Sequence, residues 1–333
     1  MERETPLISV IVPVYNVEAY VADCLRSLAA QTYPRIEIIV VDDASTDGSG
    51  RICDAWAAEE DRIRLVRFPE NRGLSAARNE GVRRAGGAFI TFVDSDDFAE
   101  PELLEKLYQS LRQSGADISI CRAEGLKVKN GPGGTYSREE AVNRMARRSC
   151  FLWTAWGKLY PAELVRRHPF DERAVCCEDL LFFYQMLKAV ETVSFLPEPL
   201  YHYLCREGSL INSGIDRRRC TALSVLERIC EDASGCFPAA EAGFRQIALN
   251  TSVRLAMQAV EGGAKDGRLF DYLNEFQRTV RRHFRWEALR LCPEKKDAAA
   301  ELLLYAGAPL FWAFASAYRQ MKSLQKNSGG RME

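Results

Sequence analysis

The chain has 333 residues, is 47% hydrophobic, and sets 45 Lys and Arg against 46 Asp and Glu for a net charge of −1, with a sequence pI near 6.4. That length suits about two domains with real cores, and the balanced charge excludes a sequence-wide attraction to nucleic acid. Eleven cysteines without a CxxC pair and only three histidines argue against a disulfide framework and a zinc site.

In chain order, residues 7–12 read as a short strand that stops at Pro13-Val14-Tyr15-Asn16, loop chemistry at a strand's carboxyl end. Val21, Cys24, Leu25 and Leu28 fall at helical spacing, and the helix ends before Pro34. Residues 36–41 form a second strand, ending in Asp42-Asp43 and a Ser/Thr/Asp/Gly run that suits a loop and a helix start. Residues 63–66 give a third strand. Gly73 then marks a turn into a helix that carries Arg78. After Gly86-Gly87 comes an apolar, β-branched and aromatic run, a fourth strand buried on both faces, which ends in Asp94-Ser95-Asp96-Asp97. A helix through Leu104, Leu107, Tyr108 and Leu111 and a strand over residues 117–121 complete this half. The first residues, Met1 to Pro6, hold no apolar export segment, so a cytoplasmic chain is expected. Adjacent Cys176 and Cys177 are expected to be small buried apolar residues.

Three acids in four residues repel one another unless a cation or backbone N–H groups compensate. If extended geometry persists, Asp94 and Asp96 project to one side, and oxygen-only ligands of this kind suit Mg²⁺ or Mn²⁺. Capping of a following helix would account for one acid, not three. The alternation of strands and helices predicts a mostly parallel α/β sheet, in which ligands bind at the strands' carboxyl ends. Tyr15, Asp43, Arg78 and the 94–97 acids would all meet there. Taken singly, each has a plainer reading: a rim aromatic, a helix cap, a solvated charge. No GxxxxGK[ST] and no GxGxxG follows the first strand, which disfavours a P-loop NTPase or a dinucleotide-binding oxidoreductase.

Together, Pro13-Val14-Tyr15-Asn16, the 41–49 run Val-Asp-Asp-Ala-Ser-Thr-Asp-Gly-Ser, the 71–79 run Asn-Arg-Gly-Leu-Ser-Ala-Ala-Arg-Asn and Val93-Asp94-Ser95-Asp96-Asp97 resemble the successive signatures of family 2 glycosyltransferases of the GT-A, Rossmann-like fold. The resemblance implies an inverting, metal-dependent transferase of the bacterial surface-polysaccharide type. It would use a nucleotide-diphosphate sugar, UDP-linked, with Mn²⁺ or Mg²⁺ and a saccharide or lipid-linked acceptor. Tyr15, Asp43 and Arg78 resemble the base-binding residues, with Pro13 and Ser95 in the same nucleotide-sugar motifs. Asp94 and Asp96 match the DxD motif, Asp94 toward ribose and metal and Asp96 as the direct ligand.

Further on, Trp156-Gly157-Lys158-Leu159-Tyr160 and the run from Glu178 to Tyr184 resemble later signatures of that family, in which the Asp of the Glu-Asp pair is the catalytic base. This assigns Asp179; the plainer reading is an acid stabilised by a helix dipole. Lys158 reads either as a phosphate or acceptor contact or as a surface charge. The run from Tyr201 to Ser209 resembles the segment beside the diphosphate and suggests Arg206. The expected domains are a catalytic one over 1–215 and a helical extension over 216–333, for which core packing, acceptor recognition and homo-oligomer formation are all open. Residues 302–317 are uncharged but too short, and broken by Pro309, for a spanning helix. With the basic residues beyond, they suit either a core helix or an interfacial one, peripheral on the inner face of the plasma membrane. Alternatives are a decayed scaffold, disfavoured by the intact acids, and a nucleotidyltransferase, disfavoured by the lack of a Gly-rich activating loop.

Overall fold

The computed structural model describes residues 5–126, 131–205, 215–264, 266–292 and 295–329. The chain divides into two compact units, Met1–Cys205 and Arg206–Glu333. In the first, β1 (Ile8–Val14), β2 (Ile36–Asp42), β3 (Ile63–Arg67) and β4 (Phe89–Phe92) lie side by side in the order β3-β2-β1-β4, all parallel. Every residue of β1 and all but one of β2 is buried, as expected of strands covered on both faces. The chain builds outward from β1 in one direction and then returns to place β4 on its other side. Such a reversal opens a crevice at the carboxyl ends of β1 and β4.

Helices α1 (Val21–Ala29), α2 (Ser49–Glu59), α3 (Leu74–Arg84) and α4 (Leu103–Ser114) cover the sheet. Helix α3 lies directly on β1: a Cβ on Gly81 would stand 2.4 Å from Ile11 Cγ2. That close approach is why a glycine sits there, and it sets the height at which Arg78, almost one turn earlier, meets the strand ends.

The other half of the sheet is mixed. Strand β8 (Lys158–Pro161) runs antiparallel to β4 and to β6 (Ile118–Glu124), and β9 (Thr192–His202) runs parallel to β6. Short β5 (Phe98–Ala99) and β7 (Gly134–Ser137) pair antiparallel with β9. Between them lie α5 (Arg138–Ala146), closed by a Ser137/Glu140 capping box, α6 (Ala162–Arg167) and α7 (Glu178–Lys188).

In the second unit, α9 (Pro238–Gly262) is buried on most sides. It packs against α8 (Thr221–Cys236), α10 (Leu269–His283), α11 (Trp286–Leu289), α12 (Lys295–Ala306) and α13 (Ala308–Gly329), which together cover its buried residues. The uncharged run over 302–317 is split between α12 and α13 at Gly307, with Pro309 in the first turn of α13, where its missing N–H costs nothing.

One expectation about the cysteines is corrected. Cys176 and Cys177 are half-exposed, because they belong to the turn entering α7, where Cys177 takes a left-handed φ of 62°.

Candidate active site

The loops after β1 and β2 are laced together. Asp43 N–H bonds to the Val14 carbonyl at 2.9 Å, Thr46 N–H to Asn16 Oδ1 at 2.8 Å and Val17 N–H to Ser49 Oγ at 2.8 Å. Glu18 accepts from Gly48 N–H at 2.6 Å. Asn16 and Ala44, each one residue past a predicted site residue, hold left-handed φ values of 50° and 58°. Such a conformation costs roughly 1 kcal/mol or more and persists only when surroundings impose it. The effect is to leave Pro13 buried in the strand, push Tyr15 out to 46% exposure, and bury Asp43. Both Asp43 oxygens accept backbone N–H groups at the entry to α3, from Arg72 at 2.6 Å and Gly73 at 2.8 Å. Burial nonetheless pushes its pKa up.

After β4 the chain does not stay extended. Asp97 N–H returns to the Asp94 carbonyl at 3.0 Å, so the acids sit on a turn, and the expectation of extended geometry through Asp94 and Asp96 gives way to it. Asp97 is 2% exposed; it accepts from Tyr201 Oη at 2.7 Å and from Leu204 N–H at 2.9 Å. Burial, then the Asp94 charge, pushes its pKa up to about 8. Tyr201 Oη also accepts Asp94 N–H at 3.1 Å, and its ring stacks on Trp156 at 4.2 Å. Asp97 is therefore the acid that anchors the turn. Ser95 is buried, whereas Asp94 and Asp96 are half-exposed.

Arg78 is the centre of the site. Its side chain is 1% exposed, bonded to Asp94 Oδ1 at 2.8 Å through one terminal nitrogen and to Asp179 Oδ1 through the other, with Glu178 Oε1 at 3.7 Å. Burial works against this cation, and Asp179, Asp94 and Glu178 outweigh it and hold it charged. Its guanidinium also lies over Phe170, 5.2 Å from the ring centre.

Asp179 and Glu178 open α7, where the helix N-terminus favours negative charge. The second oxygen of Asp179 accepts Ala155 N–H at 3.1 Å. Burial raises the pKa of both acids, Glu178 to about 8. Two adjacent carboxyls beside one arginine share the available stabilisation. Asp179 has a guanidinium on one oxygen and an N–H on the other, both of which favour its charged form, whereas Glu178 stands farther from the arginine, at 3.7 Å. At 17% exposure the Asp179 side chain is still open to a small partner.

Lys158 is not a surface charge. It is 1% exposed and spends its ammonium on the Thr154 carbonyl at 2.6 Å, Thr154 Oγ1 at 3.2 Å and the Trp156 carbonyl at 3.2 Å. Arg206 lies outside the described residues. A cleft of about 460 Å³ beside Phe170, lined by Asn79, Arg83, Arg166 and Glu172 among others, includes none of Tyr15, Asp43, Asp94, Asp96 or Asp179, so volume alone does not locate the site. Tyr201, Trp156, Asn16 and the Ala155 N–H were not foreseen as parts of the site. Trp156 and Tyr201 stood inside quoted motifs, and only their stacking across the sheet reveals what they do.

A family model described as "Glycosyl transferase family 2" matches residues 9–173. Glycosyltransferase GlyG of Streptococcus pneumoniae serotype 4 is 32% identical over 244 residues, 69% of this chain and 80% of that protein. Glycosyltransferase GlyA of the same organism is 39% identical over 218 residues, 61% of this chain but 31% of its own length, so the chain spans less than a third of GlyA. Poly(ribitol-phosphate) beta-N-acetylglucosaminyltransferase TarS of Staphylococcus aureus is 30% identical over 212 residues, 62% of this chain and 37% of that protein. The crystal structure of TarS 1-349 in complex with UDP-GlcNAc superposes with a TM-score of 0.67 at 23% identity, covering 94% of this chain and 91% of that one.

Proposed function

The chain belongs to glycosyl transferase family 2, and from that premise we propose that it moves a sugar, with inversion, from a UDP-linked donor to a saccharide or lipid-linked acceptor in the assembly of a cell-surface polysaccharide. The observation that carries this reading is the Arg78 bridge. One buried guanidinium joins Asp94, on the side where a diphosphate would sit, to Asp179, on the side where an acceptor would attack. The complex of TarS with UDP-GlcNAc supports a UDP donor.

In this reading Tyr15 offers its exposed ring to the nucleobase, beside Pro13 and the wall that Asp43 orders, and Ser95 and Asp94 line the ribose and phosphate side. Arg78 holds two acids in place instead of touching the nucleobase, since its side chain is buried and bonded to Asp94 and Asp179. Asp179 takes the proton of the attacking hydroxyl, which is a poor nucleophile until a base within hydrogen-bond reach does so.

The residues fit Mn²⁺ or Mg²⁺. Among the described residues no three His, Cys, Asp or Glu form a closed cage, and these ions take one or two carboxylates and complete their shell with water and substrate phosphates. Asp96 and Asp94 would hold such an ion, which when bound neutralises charge on the departing diphosphate.

We assign the chain to the cytoplasm, peripheral on the inner face of the plasma membrane. Among the described residues no helix is long and apolar enough to cross a membrane. Helix α13 buries Ala308, Phe311 and Ala315 along one stripe while Leu310 and Phe314 stand exposed on the other face, and residues 206–333 hold 20 Lys and Arg against 15 Asp and Glu. An apolar face on a cationic unit suits an anionic lipid surface.

The test is release of UDP from UDP-glucose, UDP-GlcNAc and UDP-galactose, with Mn²⁺ and with EDTA, in the parent and in Asp96→Ala. The reading predicts release with at least one donor, abolished by EDTA and by the substitution. Asp96→Ala that binds UDP as tightly as the parent in Mn²⁺, with no response to EDTA, would contradict the metal assignment.

A further inference from the structure

The buried ammonium of Lys158, at the start of β8, has no use in the mechanism so far. Removing a cation from water costs several kcal/mol even after relaxation, and among the described residues no carboxylate lies within ion-pair distance of it. Its three donors go instead to two carbonyls and a hydroxyl of residues 154–156, and it rests 4.5 Å over the Phe183 ring of α7.

The Thr154 carbonyl and the Ala155 N–H are opposite ends of one peptide unit, and among the described residues no peptide bond is cis, so the two bonds point in opposite directions and their dipoles add. The oxygen end meets Lys158 Nζ at 2.6 Å and the N–H end meets Asp179 Oδ2 at 3.1 Å. On the other side of the same residue, Tyr160 Oη donates to the Ala155 carbonyl at 3.0 Å. The turn is therefore clamped at both neighbouring peptides. Hydrogen bonds in such a chain polarise one another when water is excluded.

We propose that Lys158 is a positioning residue for Asp179, acting through the Thr154–Ala155 peptide: its ammonium fixes and polarises the N–H that holds Asp179 Oδ2, while Arg78 holds Oδ1. The carboxylate is thus gripped from two sides by cations, one direct and one through a peptide. This rests on the reading of Asp179 as the base. The groups that act on Asp179 are Arg78 from α3, Asp94 after β4, Glu178 beside it on α7, and Lys158 and Tyr160 from β8. Burial lowers the pKa of Lys158 to about 7 and raises that of Asp179, so loss of the ammonium moves Asp179 further up.

The experiment is a ¹³C-carboxyl NMR titration of the full chain labelled at aspartate, in which the resonance lost in Asp179→Asn identifies Asp179. In Lys158→Gln its midpoint should rise by about one pH unit, a tenfold change in proton affinity, and Lys158→Arg should return it to the parental value. Lys158→Met, which places an apolar chain against Phe183, is the second neutral variant if Lys158→Gln does not fold. A midpoint within about 0.3 unit of the parent in a folded neutral variant overturns the relay, and so does failure of both neutral variants to fold. Because the titration needs no transfer, an unmoved midpoint removes the relay alone, whereas parental transfer by Asp179→Asn removes the base reading itself.

Discussion

The two units bury polar groups to different ends. Over Met1–Cys205 the buried charges are tied across elements far apart in sequence: Arg78 reaches a carboxylate 101 residues away, and Asp97 reaches a hydroxyl 104 residues away. Over Arg206–Glu333 the buried polar groups are tied only in part. Glu301 and Gln246 share one bond at 2.6 Å, yet Glu301 Oε2, Gln246 Oε1 and His283 Nε2 are buried with no partner among the described residues. Arg78 Nε, Thr91 Oγ1 and Asn143 Oδ1 are in the same position in the first unit, but the Arg78 terminal nitrogens are engaged by carboxylates. Exposure differs too. Among the described residues, large apolar side chains above a third exposed are Tyr15, Leu74 and Leu204 in the first unit, against eight in the second, including Trp286, Leu310 and Phe314. In the first unit the cost of burying charge is offset by the carboxylate cluster around Arg78, whereas buried Glu301 in the second meets the neutral Gln246 and Cys292.

The largest effect should come from breaking that order. Arg78→Met leaves Asp94, Glu178 and Asp179 without their shared cation. The loss of one partner from a buried ion cluster costs about 3–5 kcal/mol, so urea denaturation should show a loss of that size together with loss of transfer. A variant as stable as the parent would remove the hub from the account.

How legible this was follows from the kind of residue. The strand ends were readable because a β-branched run that stops at Pro-Val-Tyr-Asn or at three acids has few other meanings, and β1, β2, β4 and α3 carry Tyr15, Asp43, the 94–97 acids and Arg78 where expected. What a charge does there was not readable. Arginine, lysine and aspartate look the same in sequence whether solvated or buried. The partners that bury Arg78, Lys158 and Asp97 arrive from α7, from the 154–156 turn and from β9. The helical unit was legible as helices and as a break near Pro309, but the faces they bury depend on α9, whose apolar residues are spread around the helix and leave no preferred side to read.

A middle-sized effect tests the partly tied cluster of the second unit. Burial pushes the Glu301 pKa up to about 7 from an ordinary 4.5. A carboxyl whose folded pKa lies above its unfolded value binds its proton more tightly in the native state, so stability falls as pH rises from 4.5 through 7. Glu301→Gln removes that slope and should stabilise the chain by about 1–3 kcal/mol at pH 8. Melting curves followed by circular dichroism across that range would check it, and a slope that survives the substitution would show that Glu301 is not its source.

The smallest effect on stability, and the sharpest contrast between the units, should come from the exposed face of α13. Leu310→Ser with Phe314→Ser should change stability by less than about 0.5 kcal/mol and leave UDP binding as it was. The parent should sediment with anionic liposomes and the double variant should not. A parent that never sediments would leave those side chains without a membrane role.

The central claim is that Asp179 acts on the acceptor while the strand-end motifs hold the donor, and it is tested most directly by Asp179→Asn. The substitution keeps the shape and a hydrogen-bonding partner for Ala155 N–H but removes the basicity. UDP affinity measured by calorimetry in Mn²⁺ should stay close to the parental value while transfer from the UDP-sugar falls by about 10² or more. Transfer at a near-parental rate would contradict the account and place the base elsewhere.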